Sequence, residues 1–398
     1  MSSNVMETSI DRAAWIAKAE EIGKLAEQEA AYAEQHSRLA DHVVQAIVDA
    51  EVPKLMRPIK YGGIPVDLRT YKDIIRTVAN YDMSAAWLVY FYSIHEIWVG
   101  YLPPEGREEI FGSGGLVADV VVPLGRVEKE GDGVRLYGQW NFVSGLPHAE
   151  WVGLGAMVQT SESGPPEPYL LAMRKSELEV IENWNALGLR GSGSHGVKAN
   201  GVYIPPHRML PTVQQVTTGQ PIGGNFDPND RLYRMPFIPL FCIGFPVIIY
   251  GGAERLVKEY EKRTSTRVRA LKGMSKEKDF TSSHRVTSEL RMQLFEMEGL
   301  LERYIRHLEE WHSQSKVILN SEEKSMMFAI RGQIAKIGAD IALKASLALG
   351  GTALFRGDVV ERMLRDMIII SSHASHSYED SMAAYGSTVY GFEGSLVW

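Results

Sequence analysis

The sequence predicts an α+β fold whose element types are segregated along the chain: helices, then a β region, then helices again. Three observations predict it. Residues 10–112 carry Ala, Glu, Ile and Leu at spacings of three and four. Residues 115–211 alternate short β-branched and aromatic runs with Gly, Pro and Ser clusters. Pro is absent after Pro246, as long uninterrupted helices require. Such segregation argues for α+β rather than a doubly wound sheet. The implied organisation is an N-terminal helical domain (1–114), a middle β domain (115–211), and a linker with a C-terminal four-helix bundle (212–398).

In the first zone Trp15, Ala19, Ile22, Ala26 and Ala30 mark one apolar helical stripe. The turn-rich stretch Pro58–Pro65 breaks the helices, a second periodic run covers Thr70–Leu102, and Pro103-Pro104 ends it. The middle zone reads as roughly six to eight strands. Thr212–Asp230 reads as a polar loop. The most apolar window, Met235–Gly252, contains Pro236, Pro239 and Pro246 and reads as a buried linker entering a helix rather than a membrane span. Four long helical segments follow, with breaks near Gly273–Asp279, Ser313–Ser321 and Gly350–Gly357.

The 398 residues are 45% hydrophobic and 23% charged, an ordinary globular composition. With 42 Lys and Arg against 49 Asp and Glu, net charge −7, no cation excess is available to bind nucleic acid or an anionic membrane. The single cysteine, Cys242, excludes an intramolecular disulfide framework and multi-cysteine metal sites. The N-terminal MSSNVMETSIDRAAW lacks a secretory pattern, and with a single cysteine a reducing cytosol is the expected compartment.

Several motifs are compatible with more than one chemistry. Gly191-Ser192-Gly193-Ser194-His195-Gly196 matches G-x-G-x-x-G, but a strand follows it instead of a helix, which excludes a dinucleotide fingerprint. A Gly/Ser loop of this kind can still offer N–H groups to a flavin or phosphate. His95-Glu96 begins H-E-x-x-H, but residue 99 is Val, so no zinc site of that type exists. Trp87, Phe91, His95, Trp98 and Leu102 share one helical face, which makes His95 either a satisfied core histidine or the titratable group of a flat aromatic pocket. His373 and His376, followed by Glu379 and Asp380, permit a metal site on paper, but a polar helix turn has the same pattern and no metal is expected. His373 should face inward above Ile369 and Ile370. Ser144 lacks a nucleophile elbow and reads as a turn residue. Arg263, Arg267 and Arg269 form either a solvated helix end or a phosphate clamp.

The run Asn183–His195, followed by Val202–Pro206, resembles the middle-domain signature of the acyl-CoA dehydrogenase fold. Within that fold, further collinear stretches are similar to the two-component flavin-dependent monooxygenases that hydroxylate p-hydroxyphenylacetate and phenolic secosteroids. These are Tyr61–Gly63, Ala86-Trp87, Val143–Ala149, Gly252–Arg255, Arg267–Ala270, Gly350–Ala353, and Arg365-Asp366 with His373. The resemblance implies an oxygenase that takes reduced FMN or FAD from a separate reductase. With O2 as co-substrate it would hydroxylate an aromatic, phenolic molecule through a flavin hydroperoxide. His373, Ser144 and His95 would be catalytic. Trp87, Ser144, Arg269, Gly191 and Ser192 would hold the flavin, with Arg269 at its phosphate. His95, Phe91 and Trp98 would hold the substrate, and the assembly would be a homotetramer. One departure stands out: where these relatives carry a serine run along the flavin, this chain has Asp119-Val120-Val121-Val122-Pro123. The same fold also hosts acyl-CoA dehydrogenases, which are yellow as purified, and oxygenases of amino sugars, indoles or sulfur heterocycles. A flavin-free scaffold is the reading outside enzymes.

Overall fold

The computed structural model describes residues 11–160 and 163–394. The stretch 1–10, most of the segment read for a targeting signal, lies outside them. Six helices come first: α1 (Arg12–Gln28), α2 (Ala30–His36), α3 (Asp41–Asp49), α4 (Leu68–Ala79), α5 (Met83–Val99) and α6 (Pro104–Ser113). Trp15, Ala19, Ile22 and Ala26 are the buried stripe of α1, as their spacing implied. The expected run Thr70–Leu102 is two helices, because the Asp82 side chain accepts from Ala85 N and starts α5 afresh. Pro103-Pro104 both ends that run and begins α6, with Pro104 at a first-turn position where a missing N–H costs nothing.

The sheet follows, with strands β1 (Val117–Glu130), β2 (Gly133–Val143), β3 (Trp151–Val158), β4 (Glu167–Arg174), β5 (Glu179–Ile181), β6 (His195–Ile204) and β7 (Met209–Pro211). Their order is β5-β6-β2-β1-β3-β4-β7, antiparallel except for the parallel pair β1–β3. The G-x-G-x-x-G stretch is a tight turn that opens β6, not a helix. In β1, Val117 packs into the helical core while Ala118 packs into the sheet's own core. Side chains alternate along a strand, so Asp119 lies on the face toward the helices.

The expected loop at Thr212–Asp230 contains a short helix, α7 (Thr212–Thr218). Then come α8 (Phe237–Phe241), α9 (Gly244–Thr266), a small hairpin of β8 (Val268–Arg269) and β9 (Ser275–Lys276), α10 (Thr281–Ser313), α11 (Ser321–Leu349), α12 (Val359–Ser371) and α13 (Tyr378–Val389). The segment Phe237–Thr266 has the length and apolar character of a membrane span, but 94% of its apolar window is buried in the protein. Its longer part, α9, is a core helix. The fourth bundle segment, expected to be continuous, is broken between Ser371 and Tyr378. The Ser372 N–H closes α12 onto Ile368 and Ile369, and His373 begins a 3-10 turn. One hydrophobic core runs through both helical regions, and a smaller one lies inside the sheet.

Candidate active site

Helix α5 is the axis of the site. All 17 of its residues are buried, so it is packed on every side rather than amphipathic. Its aromatic residues form one wall. Trp87 lies 4.8 Å from Phe91 and 5.4 Å from Phe245, and Phe91 lies 4.8 Å from His95 between ring centroids. Phe241 stacks on His95 at 6.1 Å. Phe241 and Phe245 flank the α8–α9 junction, inside the window read as a linker. The break after α12 supplies the cap: His373 packs at 4.8 Å on Phe245 and edge-on to Trp87 at 5.8 Å, with His376 stacked on it at 5.5 Å. The sequence thus contributes His373, Trp87 and Phe91 to one aromatic box from helices at opposite ends of the chain.

The second wall is polar. Trp87 Nε1 donates to Ser144 Oγ at 2.9 Å, Ser144 Oγ meets Ser194 Oγ at 2.9 Å, and Ser194 Oγ meets Ser192 Oγ at 2.7 Å. All three serines are buried. Ser144 sits at the end of β2, where Gly145 takes φ +77° and its N–H bonds Ser192 O at 2.8 Å, which locks the two loops together. A Cβ on Gly145 would lie 2.6 Å from the Tyr92 ring, so only glycine fits. Gly191 uses its bare Cα for packing: a Cβ there would lie 2.9 Å from Ser84 Cβ and 3.0 Å from Leu39 Cδ2. Whether this wall suits a flavin ring follows from proton counting. Three hydroxyls carry three protons, the two serine–serine bonds use two, and Trp87 uses its own N–H. One spare donor is left in a buried row, which fits a heteroaromatic ring edge rich in acceptors.

The histidines have defined proton positions. Ser375 N donates to His373 Nδ1 at 3.2 Å, which makes Nδ1 the acceptor and places the ring proton on Nε2. Ser375 Oγ lies 2.7 Å from the same Nδ1 and 3.2 Å from His376 Nδ1, and His376 Nε2 bonds the Ile370 carbonyl. Burial lowers the pKa of His373 to about 4 and that of His376 to about 3, His373 adding to the latter. Both rings are neutral at pH 7. The unfolded chain takes up these protons near pH 6.5 while the folded one resists to lower pH, so stability is complete above about pH 6.5 and falls as pH drops toward 4. Melting temperature is expected to decline from pH 7 to pH 5, and the decline should be shallower in His376→Asn; a parallel pH slope in the variant would contradict this assignment.

His95 is enclosed by protein on all sides. Its Nδ1 lies 2.9 Å from Val117 O and its Nε2 lies 3.4 Å from Asp119 Oδ2, and the ring is fully buried. Trp98 Nε1 is buried beside the same carboxylate, without hydrogen-bond geometry. Arg269 is not brought to the box: it sits on the β8–β9 hairpin and pairs with Glu277. Arg267 shares Glu277 at 3.2 Å, and Arg263 grips Asp358 at 2.8 Å. The arginine run joins hairpin and helices, with Arg269 Nε left unpartnered among the described residues. Ser375, Phe241 and Phe245 were not singled out in the sequence, and Ser194 stood out only as part of the Gly/Ser loop. Among the first three, only the four-residue spacing of Phe241 and Phe245 offered a signal.

This architecture of helices, β domain and helical bundle is the acyl-CoA dehydrogenase fold, and residues 242–378 match the acyl-CoA dehydrogenase, C-terminal domain, model. Among curated relatives, the chain is similar to the oxygenase component of p-hydroxyphenylacetate 3-hydroxylase from Acinetobacter baumannii: 23% identical over 363 residues, 91% of this chain and 85% of that one. It is 24% identical over 357 residues to the oxygenase component of the FADH(2)-dependent resorcinol hydroxylase from Rhizobium sp., covering 85% of each chain. Among solved structures, XiaF from Streptomyces sp., in complex with FADH2 and glycerol, superposes with a TM-score of 0.88 at 21% identity, over 96% of each chain. The HsaA monooxygenase from M. tuberculosis superposes with a TM-score of 0.87 at 20% identity, over 97% of this chain and 100% of that one.

Proposed function

We propose that this chain is the oxygenase component of a two-component flavin-dependent monooxygenase. It takes reduced FMN or FAD from a separate reductase and uses O2 to hydroxylate a small phenolic molecule. One observation carries this reading: the buried Trp87–Ser144–Ser194–Ser192 chain faces an aromatic box closed by a neutral histidine. The curated relatives named above are oxygenase components of this kind, which supports the activity class.

Reduced flavin, when bound, supplies the two electrons that let one oxygen atom of O2 leave as water while the other enters the ring. The serine row orients the flavin edge, and the box excludes water and holds the substrate flat. His373, neutral and with its proton on Nε2, donates a hydrogen bond into the box that orients the reacting oxygen. Arg269, with a spare Nε–H, is placed at the flavin phosphate in this reading, and Gly191 and Ser192 shape the adjoining turn. Exposed apolar side chains on the bundle (Met292, Phe295, Leu343, Leu347 and Phe355) support assembly into a homotetramer. The enzyme is assigned to the cytoplasm, where a reductase partner would provide the flavin.

The direct test is anaerobic titration with reduced FMN and reduced FAD. Saturable binding of one or both is expected, and Ser144→Ala should weaken it about tenfold by breaking the row at its indole end. A wild type with no affinity for either reduced flavin would contradict the proposal. A tightly bound oxidised flavin bleached by acyl-CoA would instead favour a dehydrogenase.

A further inference from the structure

One buried charge lies behind the box without a counter-ion. Arg331 of α11 is 1% exposed, and a guanidinium cannot shed its proton to ease that burial. The groups acting on it most strongly are neutral: the Cys242 thiol and the Tyr304 and Tyr90 hydroxyls. The Phe328 ring lies 5.5 Å from its Cζ, and His376, which meets it from the turn, is held neutral by burial. Nη2 has no hydrogen-bond partner among the described residues. A well-packed apolar side chain would cost less at such a place, so the purpose of Arg331 lies in the hydrogen bonds it does make. Nε donates to Ser375 O at 3.0 Å and Nη1 to Tyr304 Oη at 3.3 Å. Ser375 is the residue that engages His373 Nδ1. Tyr304 Oη donates in turn to Pro239 O of α8 at 2.6 Å, two residues before Phe241. One guanidinium thus joins the histidine cap to the phenylalanine wall of the box.

The neighbours of Arg331 on α11 fasten the same turn. Ala335 O accepts from Ser371 Oγ at 3.1 Å, at the end of α12. A Cβ at Gly332 would lie 2.1 Å from Ser381 Oγ and 3.4 Å from Ser377 O, so the bare Cα lets the far end of the break close on the helix. Both ends of the break are packed on α11, and Arg331 holds its middle. We propose that Arg331 is a positioning residue of this site: it holds the Ser375 turn in place and so keeps the His373 proton on Nε2, aimed into the box. The inference rests on the proposed monooxygenase activity and deepens it. A His373 ring released from Ser375 N–H would be free to move its proton to Nδ1 and withdraw its donor from the box.

The test reads the tautomer of His373 from ¹⁵N-histidine NMR spectra at neutral pH without flavin, its signals identified by their loss in His373→Asn. The wild type is expected to show the Nε2–H form alone. Arg331→Met strands no carboxylate and is expected to fold. In that variant the ratio of Nε2–H to Nδ1–H forms should fall by about tenfold or more, the worth of one lost hydrogen bond to the turn. Arg331→Lys keeps the charge and one donor for Ser375 O, and should hold the ratio within about threefold of wild type. A wild-type tautomer in Arg331→Met, or a tautomer lost alike in both variants, overturns the inference. Loss of the fold in Arg331→Met would make the arginine structural and overturn it as well. A wild type that binds no reduced flavin contradicts the proposed function instead, and the flavin-free spectra are read independently of that result.

Discussion

Replacing His373 by alanine is expected to lower the rate of product formation by about 10²–10³-fold, the range for removing one donor aimed at developing charge. Reduced-flavin affinity should stay within about threefold. The split follows from geometry. The serine row that would hold the flavin edge comes from β2 and the turn before β6, and it makes no hydrogen bond to His373. The His373 ring instead covers Trp87 and Phe245 from the break after α12. Its Nδ1 is engaged by Ser375, so Nε2–H is the only ring position that can donate a hydrogen bond into the box. His373→Asn, which keeps a donor with a shorter reach, should recover part of the lost rate. Unchanged rate and yield in His373→Ala would remove the role.

The largest stability effect is expected one residue from His95. Glu96 is 1% exposed and receives two bonds from Arg57, Nε at 2.6 Å and Nη2 at 3.0 Å. Arg57 is itself buried and lies 5.1 Å over the Phe111 ring. Deleting the carboxylate strands a guanidinium that cannot shed its proton, so Glu96→Ala should cost about 3–5 kcal/mol of stability. Chemical denaturation at neutral pH reads this directly. A loss under about 1 kcal/mol, the range of an exposed pair, would show that the pair is not buried in solution.

The order of element types was legible because helix and strand periods differ and because proline leaves the chain at Pro246. The site was legible only in fragments. Trp87, Phe91 and His95 were visible by spacing, yet on a helix buried all round, spacing cannot tell which face opens onto a pocket. Ser144 carried no local signal: its partners Ser192 and Ser194 lie about fifty residues on, and only the turn before β6 brings them together. The stretch Ser371–Ser377 read as the end of a continuous helix, since a polar turn and an exposed helical turn share a composition. Its break aims His373 into the box. Asp119 was visible as a departure from a serine run, but nothing in sequence could show that it faces His95. The flavin assignment came from collinear motifs, not from composition.

Supplying enzymatically reduced FMN or FAD with a phenol under ¹⁸O₂ and weighing the product tests the oxygenase activity itself. The expected result is a hydroxylated phenol carrying one labelled oxygen atom, formed only when protein, reduced flavin and substrate are all present. Absence of hydroxylated product across a panel of phenols, with reduced flavin consumed no faster than in buffer, would contradict the account.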